Sequence, residues 1–143
     1  LDFIGINYYF HNWINGFRFS QNENKKTNDM GWEIYPKGLY RVLSDVKQFQ
    51  LPVYITENGV ADMRDAFRAD FILDHVSEIK HAMIEGVDVR GYFYWSLLDN
   101  FEWDKGFWPR FGLVEIDYKT QKRKIRSSAF EYAKIISRHV DEQ

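Results

Sequence analysis

PVYITENG, residues 52–59, closes an apolar run on a carboxylate, Glu57, and follows it at once with the turn dipeptide Asn58-Gly59. Asn-Gly between extended segments is a strong hairpin signal, and a hairpin would leave Glu57 on a solvated edge. The residues beyond the turn decide against it. Period-two alternation does not resume; instead Phe67, Phe71, Ile72, Val76, Ile79 and Met83 recur at helical spacing. The unit is therefore strand, turn, helix. Asp62 is expected to cap that helix with Asp65 in its first turn, and Gly86 stands where a left-handed C-terminal cap is wanted. A carboxylate at the carboxyl end of a strand that runs into a helix occupies the position where α/β folds keep their chemistry.

Composition narrows the partners. The 143 residues fit one domain, and an aromatic share of 18 % exceeds what a small core needs, so some rings are expected to meet a ligand. A net charge of −2 gives no electrostatic case for nucleic acid. Lys119, Lys122, Arg123, Lys124 and Arg126 crowd one stretch, which reads as a hydrated hairpin face. Without cysteine there are no disulfides or thiolate metal sites, and a cytoplasmic location is the expectation. No apolar run reaches the roughly 18 residues of a membrane span. His11, His75, His81 and His139 form no metal-ligand pattern, so neither metal nor cofactor is expected.

Three aromatic or β-branched runs, residues 2–9, 52–57 and 89–96, read as strands. Residues 11–28 are polar and read as a loop. Pro36 precedes a helix with the apolar stripe Leu39, Val42, Leu43, Val46 and Phe49. Strands that alternate with helices pair in parallel through right-handed crossovers. Residues 97–110 form a loop, and residues 112–125 a short hairpin. A last helix starts near Ser128, with Glu131 completing a capping box and Phe130, Ala133, Ile136 and Val140 as its buried face.

Parallel strands of one sheet share the side on which they end, so Asn7, Tyr9, Glu57, Trp95 and the loop after Trp95 converge. An acid, a phenol that can donate to it, an amide and an indole suit a polyhydroxylated ligand: the C–H face of a sugar packs on a ring while polar groups take its hydroxyls. A nucleotide is disfavoured, because no glycine-rich phosphate loop is present. On residue type alone Tyr9, Trp95, Asn7 and Phe111 could equally be packing residues, and Trp13, Trp32 and Trp108 are assigned to packing or to a pocket rim.

DFIGINYY, YITENGVAD, RGYFYWSLLDNFEW and RFGLVEIDY, in this order, resemble the carboxyl-terminal portion of glycoside hydrolase family 1, the β-glucosidase and β-glycosidase family. The resemblance runs from Asp2 to about Ala133. It implies part of a (β/α)8 TIM barrel, with the three strands corresponding to the sixth, seventh and eighth and residues 1–143 belonging to one barrel domain. It also implies retaining hydrolysis of β-glycosides by two glutamates. Matching Thr-Glu-Asn-Gly to residues 56–59 makes Glu57 the nucleophile, which must lie about 5 Å from the acid/base carboxyl. Tyr9 would hold that carboxylate, and Asn7 would shape the same wall. Trp95 would be the platform under the sugar, Glu102 would accept from its outer hydroxyls, Trp103 would donate its indole N–H, and Phe111 would close the pocket. Relatives that cleave 6-phosphorylated sugars replace the acid at Glu102, because a carboxylate repels a phosphate, so an unphosphorylated sugar is expected.

The sequence also departs from that family. The Asn-Glu-Pro motif that supplies the acid/base is absent, and three strands fall short of the eight a barrel needs. The expectation is a β-glycosidase portion that requires a missing amino-terminal portion as its partner and is inactive alone. The alternative is a non-catalytic sugar-binding or assembly fragment, which would use Trp95, Glu102 and Trp103 without needing Glu57 beside Tyr9.

Overall fold

The computed structural model describes residues 1–16, 18–20 and 26–141. Three parallel strands, β1 (Ile4–Asn7), β4 (Val53–Asn58) and β5 (Val89–Tyr94), lie side by side in the order β1-β4-β5. Helices α1 (Pro36–Val46) and α2 (Arg68–Ile84) make the crossovers, as the alternation of strand and helix requires. A polar excursion carries β2 (Trp13–Asn15) antiparallel to β3 (Arg18–Ser20), and a second ribbon pairs β6 (Val114–Ile116) with β7 (Arg123–Ile125). The chain then enters α3 (Ser127–Asp141).

The helices cover one face of the sheet. Ile6, Val53 and Ile55 meet Leu39, Leu43, Ile79 and Ala82 in one apolar cluster; Val60, Phe71, Ile72 and Leu113 form another, against which Tyr92, Tyr94, Ala129, Tyr132 and Ile135 pack. Each fully buried aliphatic side chain contributes about 1.5–3 kcal/mol. On the opposite face Asn7 and Thr56 are exposed, and Phe3 and Phe93 are 52 % and 57 % exposed. That face and both outer strand edges have no covering element among the described residues.

Several expectations are corrected. The stretch expected to be a loop is not all loop: β2 and β3 pair within it, with Gly16 at φ +62° after β2, while residues 17 and 21–25 lie outside the described residues. Helix α2 begins at Arg68, later than expected, and its N-cap position is Phe67. Asp62 nevertheless serves it, since Oδ2 accepts the Phe67 and Arg68 N–H groups at 2.9 and 3.0 Å. Asp65 is not in the first turn of α2. It reaches across to α3, accepting the Ser128 N–H at 2.9 Å and the hydroxyls of Ser127 and Ser128 at 2.8 and 2.6 Å, and it pairs with Arg68.

Asp65 therefore caps α3, and the Ser128–Glu131 capping box is replaced, with Glu131 pairing instead to Lys134. The packed face of α3 carries Ala129, Tyr132 and Ile135, whereas Phe130 and Ile136 are 57 % and 49 % exposed and Ala133 is exposed too. The side chain of Val140 lies outside the described ones. Phe49 belongs to a short 3-10 turn after α1 and is likewise exposed.

The C-terminus of α2 forms as expected. Gly86 adopts φ +91°, with its N–H donating to the Met83 carbonyl and the Val87 N–H to that of Ala82. The basic β6–β7 ribbon is solvated along β7, but Arg126, expected on the same hydrated face, is buried and pairs with Asp99.

Candidate active site

Strict alternation along β4 would send Glu57 to the helix side with Val53 and Ile55. Register irregularities prevent this, one between Ile6 and Asn7 on β1 and one between Ile55 and Asn58 on β4. Asn58 takes the buried place instead, donating to the Tyr8 carbonyl at 2.7 Å and accepting from the Tyr92 hydroxyl at 2.9 Å. Glu57 is left half-buried at the strand end, paired in register with Asn7. The Tyr9 hydroxyl donates to Glu57 Oε2 at 2.7 Å.

Burial, and then the hydrogen bond and charge of Glu57, push the Tyr9 phenol well above its ordinary range, so Tyr9 remains a donor at any working pH. Its ring is braced edge-on by Trp32 at 6.0 Å and by Phe111 at 6.2 Å. Phe111 is only 2 % exposed, so it meets the site through Tyr9. Asn7 is tied to β4, its Oδ1 accepting the Thr56 hydroxyl at 2.6 Å.

Trp95 follows β5, and its N–H donates to the Asn58 carbonyl at 2.9 Å, which fixes it beside the turn that carries Glu57. Gly59 is required here, since a Cβ would strike the Trp95 carbonyl. From Ser96 the chain makes a loop whose ends are stitched together: the Ser96 N–H donates to the Phe111 carbonyl, and the Leu113 N–H to that of Ser96. Buried Asp99 holds the loop from beneath. It accepts from Arg126 at 2.9 and 3.0 Å, from the Gly112 N–H at 2.9 Å and from Arg110 at 3.2 Å. Burial raises the Asp99 carboxyl, yet these donors prevail and hold it below the ordinary carboxylate range.

At the top of this loop Glu102 is half-buried. Its carboxyl is raised first by desolvation, then by the charge of Glu57 and that of Asp104, so the two glutamates share one electrostatic field. Trp103 is 82 % exposed, at φ +43°, with its indole in water.

The structure thus brings Asn7, Tyr9, Glu57 and Phe111 into one contact chain, joins Trp95 to it through the backbone, couples Glu102 to it electrostatically, and leaves Trp103 at the rim. Sequence reasoning missed Asn58 and the Asp99–Arg126 pair. Each is a buried polar group satisfied from far along the chain, and nothing in local spacing announces such a partner. Trp32, assigned to packing or rim, stacks on Phe10 at 4.7 Å and braces Tyr9. His75 is buried, Nδ1 lying 2.7 Å from the Phe71 carbonyl, and no described cluster could hold a metal ion.

A parallel β/α segment whose strand ends carry a phenol-held carboxylate among aromatic rings has the layout of the catalytic rim of an α/β fold. The family model for glycosyl hydrolase family 1 matches residues 1–140, and the chain belongs to that family. It is 41 % identical to a beta-galactosidase of Sulfolobus acidocaldarius over 94 % of this chain and 31 % of that protein. It is 40 % identical to beta-glucosidase A of Thermotoga maritima over 95 % of this chain and 34 % of that protein. The solved beta-glucosidase from Thermotoga maritima in complex with glucoimidazole superposes with a TM-score of 0.92 at 38 % identity, covering 96 % of this chain and 34 % of that one. The chain therefore spans about a third of the length of the relatives it matches. No helix among the described residues is long and apolar enough to cross a membrane.

Proposed function

We propose that this chain supplies the nucleophile and much of the sugar-binding wall of a retaining β-glycosidase. The observation that carries the reading is the Tyr9 hydroxyl at 2.7 Å from Glu57 Oε2, on a strand end flanked by Trp95. With Oε2 held by the phenol, Oε1 is the oxygen that attacks the anomeric carbon. The glycosidic bond breaks as the ester to Glu57 forms, and water later releases the sugar with its configuration retained. Trp95 lies under the sugar, Glu102 and Asn7 accept or bridge its hydroxyls, Trp103 donates its N–H from the rim, and Phe111 keeps Tyr9 in place. The substrate is an unphosphorylated β-glycoside.

The acid that protonates the leaving group comes from outside this chain, as does the rest of the sheet. The bare sheet face with Phe3 and Phe93, the two open strand edges and the second apolar stripe on α3 fit an amino-terminal barrel portion that docks there.

Hydrolysis of nitrophenyl β-glycosides tests this, by the chain alone and with the amino-terminal portion of a close relative added. Activity is expected only in the mixture, with a 2-fluoroglycoside inactivator leaving one ester on Glu57. An active mixture labelled at another residue, or one that Glu57→Gln leaves active, overturns the reading.

A further inference from the structure

A cleft opens beside the loop that follows β4. Asp29, Asp62, Met63, Arg64, Ala66, Phe67 and Trp108 line its volume of about 490 Å³, within the roughly 300–1,000 Å³ range of small-ligand sites. Neither Glu57, Tyr9, Trp95, Glu102 nor Trp103 contributes to it. We propose that this cleft binds a neutral oligosaccharide, a site separate from the reacting one and independent of the role assigned to Glu57.

Its walls are fixed. The Asp29 N–H donates to the Ala61 carbonyl, and Asp29 Oδ2 accepts the Met63 N–H at 2.7 Å, which clamps two loops together. Asp62 spends Oδ2 on the start of α2. Among the lining residues, Trp108 is 46 % exposed and without a ring partner among the described residues, Met63 is 53 % exposed, Asp29 keeps its second oxygen outside the described hydrogen bonds, and Arg64 is exposed and paired with no described carboxylate.

An indole left in water beside an acceptor and a forked donor is the set a sugar needs. The C–H face of the ring lies on Trp108 while a vicinal diol donates to Asp29 and accepts from Arg64. Charge selects against the other polar ligands. With Asp29 and Asp62 against the one guanidinium of Arg64, the lining is net negative, which disfavours a phosphate or a uronate. The cleft is open, so its affinity belongs near a Kd of about 1 mM.

The test labels this chain alone with 5-fluorotryptophan and follows the Trp108 resonance, assigned by Trp108→Phe, in fluorine NMR during titration with cellotriose and with galactotriose. The titration is run on the chain by itself, carrying Phe3→Lys and Phe93→Lys to suppress association through the bare sheet face, and on the parent chain docked to an unlabelled amino-terminal portion. The expected result is a saturable Trp108 shift with at least one trisaccharide in both states. It persists in Trp95→Phe and Glu102→Gln, and it weakens at least about fivefold in Arg64→Gln, whose free spectrum and thermal midpoint stay those of the parent, and in Asp29→Asn, whose amide oxygen can still accept the Met63 N–H. The proposal is overturned if Trp108 does not move, if its shift vanishes with Trp95→Phe or Glu102→Gln, or if docking abolishes it. It is equally overturned if both cleft substitutions leave the affinity unchanged, or if glucuronate oligomers bind as well.

Discussion

At the scale of one residue, the Tyr9–Glu57 contact concentrates the chemistry. A hydrogen bond to a charged group contributes about 1.5–3 kcal/mol, and in the proposed reaction it would also leave Oε1 as the free carboxylate oxygen. Tyr9→Phe removes the donor while keeping the ring that Trp32 and Phe111 brace, so the variant should still fold, with its stability lowered by no more than about that 1.5–3 kcal/mol. In the complemented enzyme kcat for an aryl β-glycoside is expected to fall by about 10- to 100-fold, the rate equivalent of that energy, with KM little altered. A parental kcat, measured by initial rates, would show that the phenol does not orient Glu57. Residue type and strand-end position made both members of this pair legible in the sequence. Asn58 was not legible, because its burial follows from a register irregularity that period-two reading cannot anticipate.

At the scale of elements, the capping of α3 shows where local reading stops. Ser128 and Glu131 have the spacing of a capping box, yet the partner of the Ser128 N–H is Asp65, 63 positions away. A nonlocal carboxylate that already meets buried Arg68 offers α3 both charge and geometry, and it outcompetes the local pair. The strand, helix and glycine C-cap signals around β4 and α2 were legible because each is satisfied within a few residues. The β2–β3 ribbon was obscured by the polar run QNENKKTN that follows it, although WINGFRFS is rich in apolar and aromatic residues around an Asn-Gly pair.

Asp65→Ala removes the cap and strips Arg68, which is fully buried, of its carboxylate; a loss of about 3 kcal/mol is expected in urea unfolding. Burial opposes ionisation of Asp65, but the Ser128, Ser127 and Arg68 contacts prevail and hold its carboxyl below 3.8. The stabilisation is therefore complete above that value and lost as pH falls through the lower folded-state value. The gap between parent and variant should be constant near neutrality and should close only below about pH 4. A gap that persists there would mean that the Asp65 charge contributes nothing.

At the scale of the whole molecule, one sheet face is finished and the other is not. Helices bury Val53 and Ile55 completely, while Phe3 and Phe93 on the sheet and Phe130 and Ile136 on α3 are exposed, and β1 and β5 each keep one edge unpaired among the described residues. The same sequence therefore encodes a core and an unsatisfied template, and which of them dominates in solution depends on what covers the template. Open edges with adjacent apolar surface recruit other chains at micromolar concentrations and above. Alone at about 50 µM the chain should sediment as a concentration-dependent set of oligomers; with an equimolar amino-terminal portion it should collapse to a single one-to-one species. Phe3→Lys with Phe93→Lys places charge on the bare face without touching the helix-side core. The pair should therefore restore a monomer and at the same time prevent docking and the activity that accompanies it. A parent chain that sediments as a sharp monomer at every concentration, or a double variant that still complements, would show that the bare face is a true exterior surface and that the barrel is completed elsewhere.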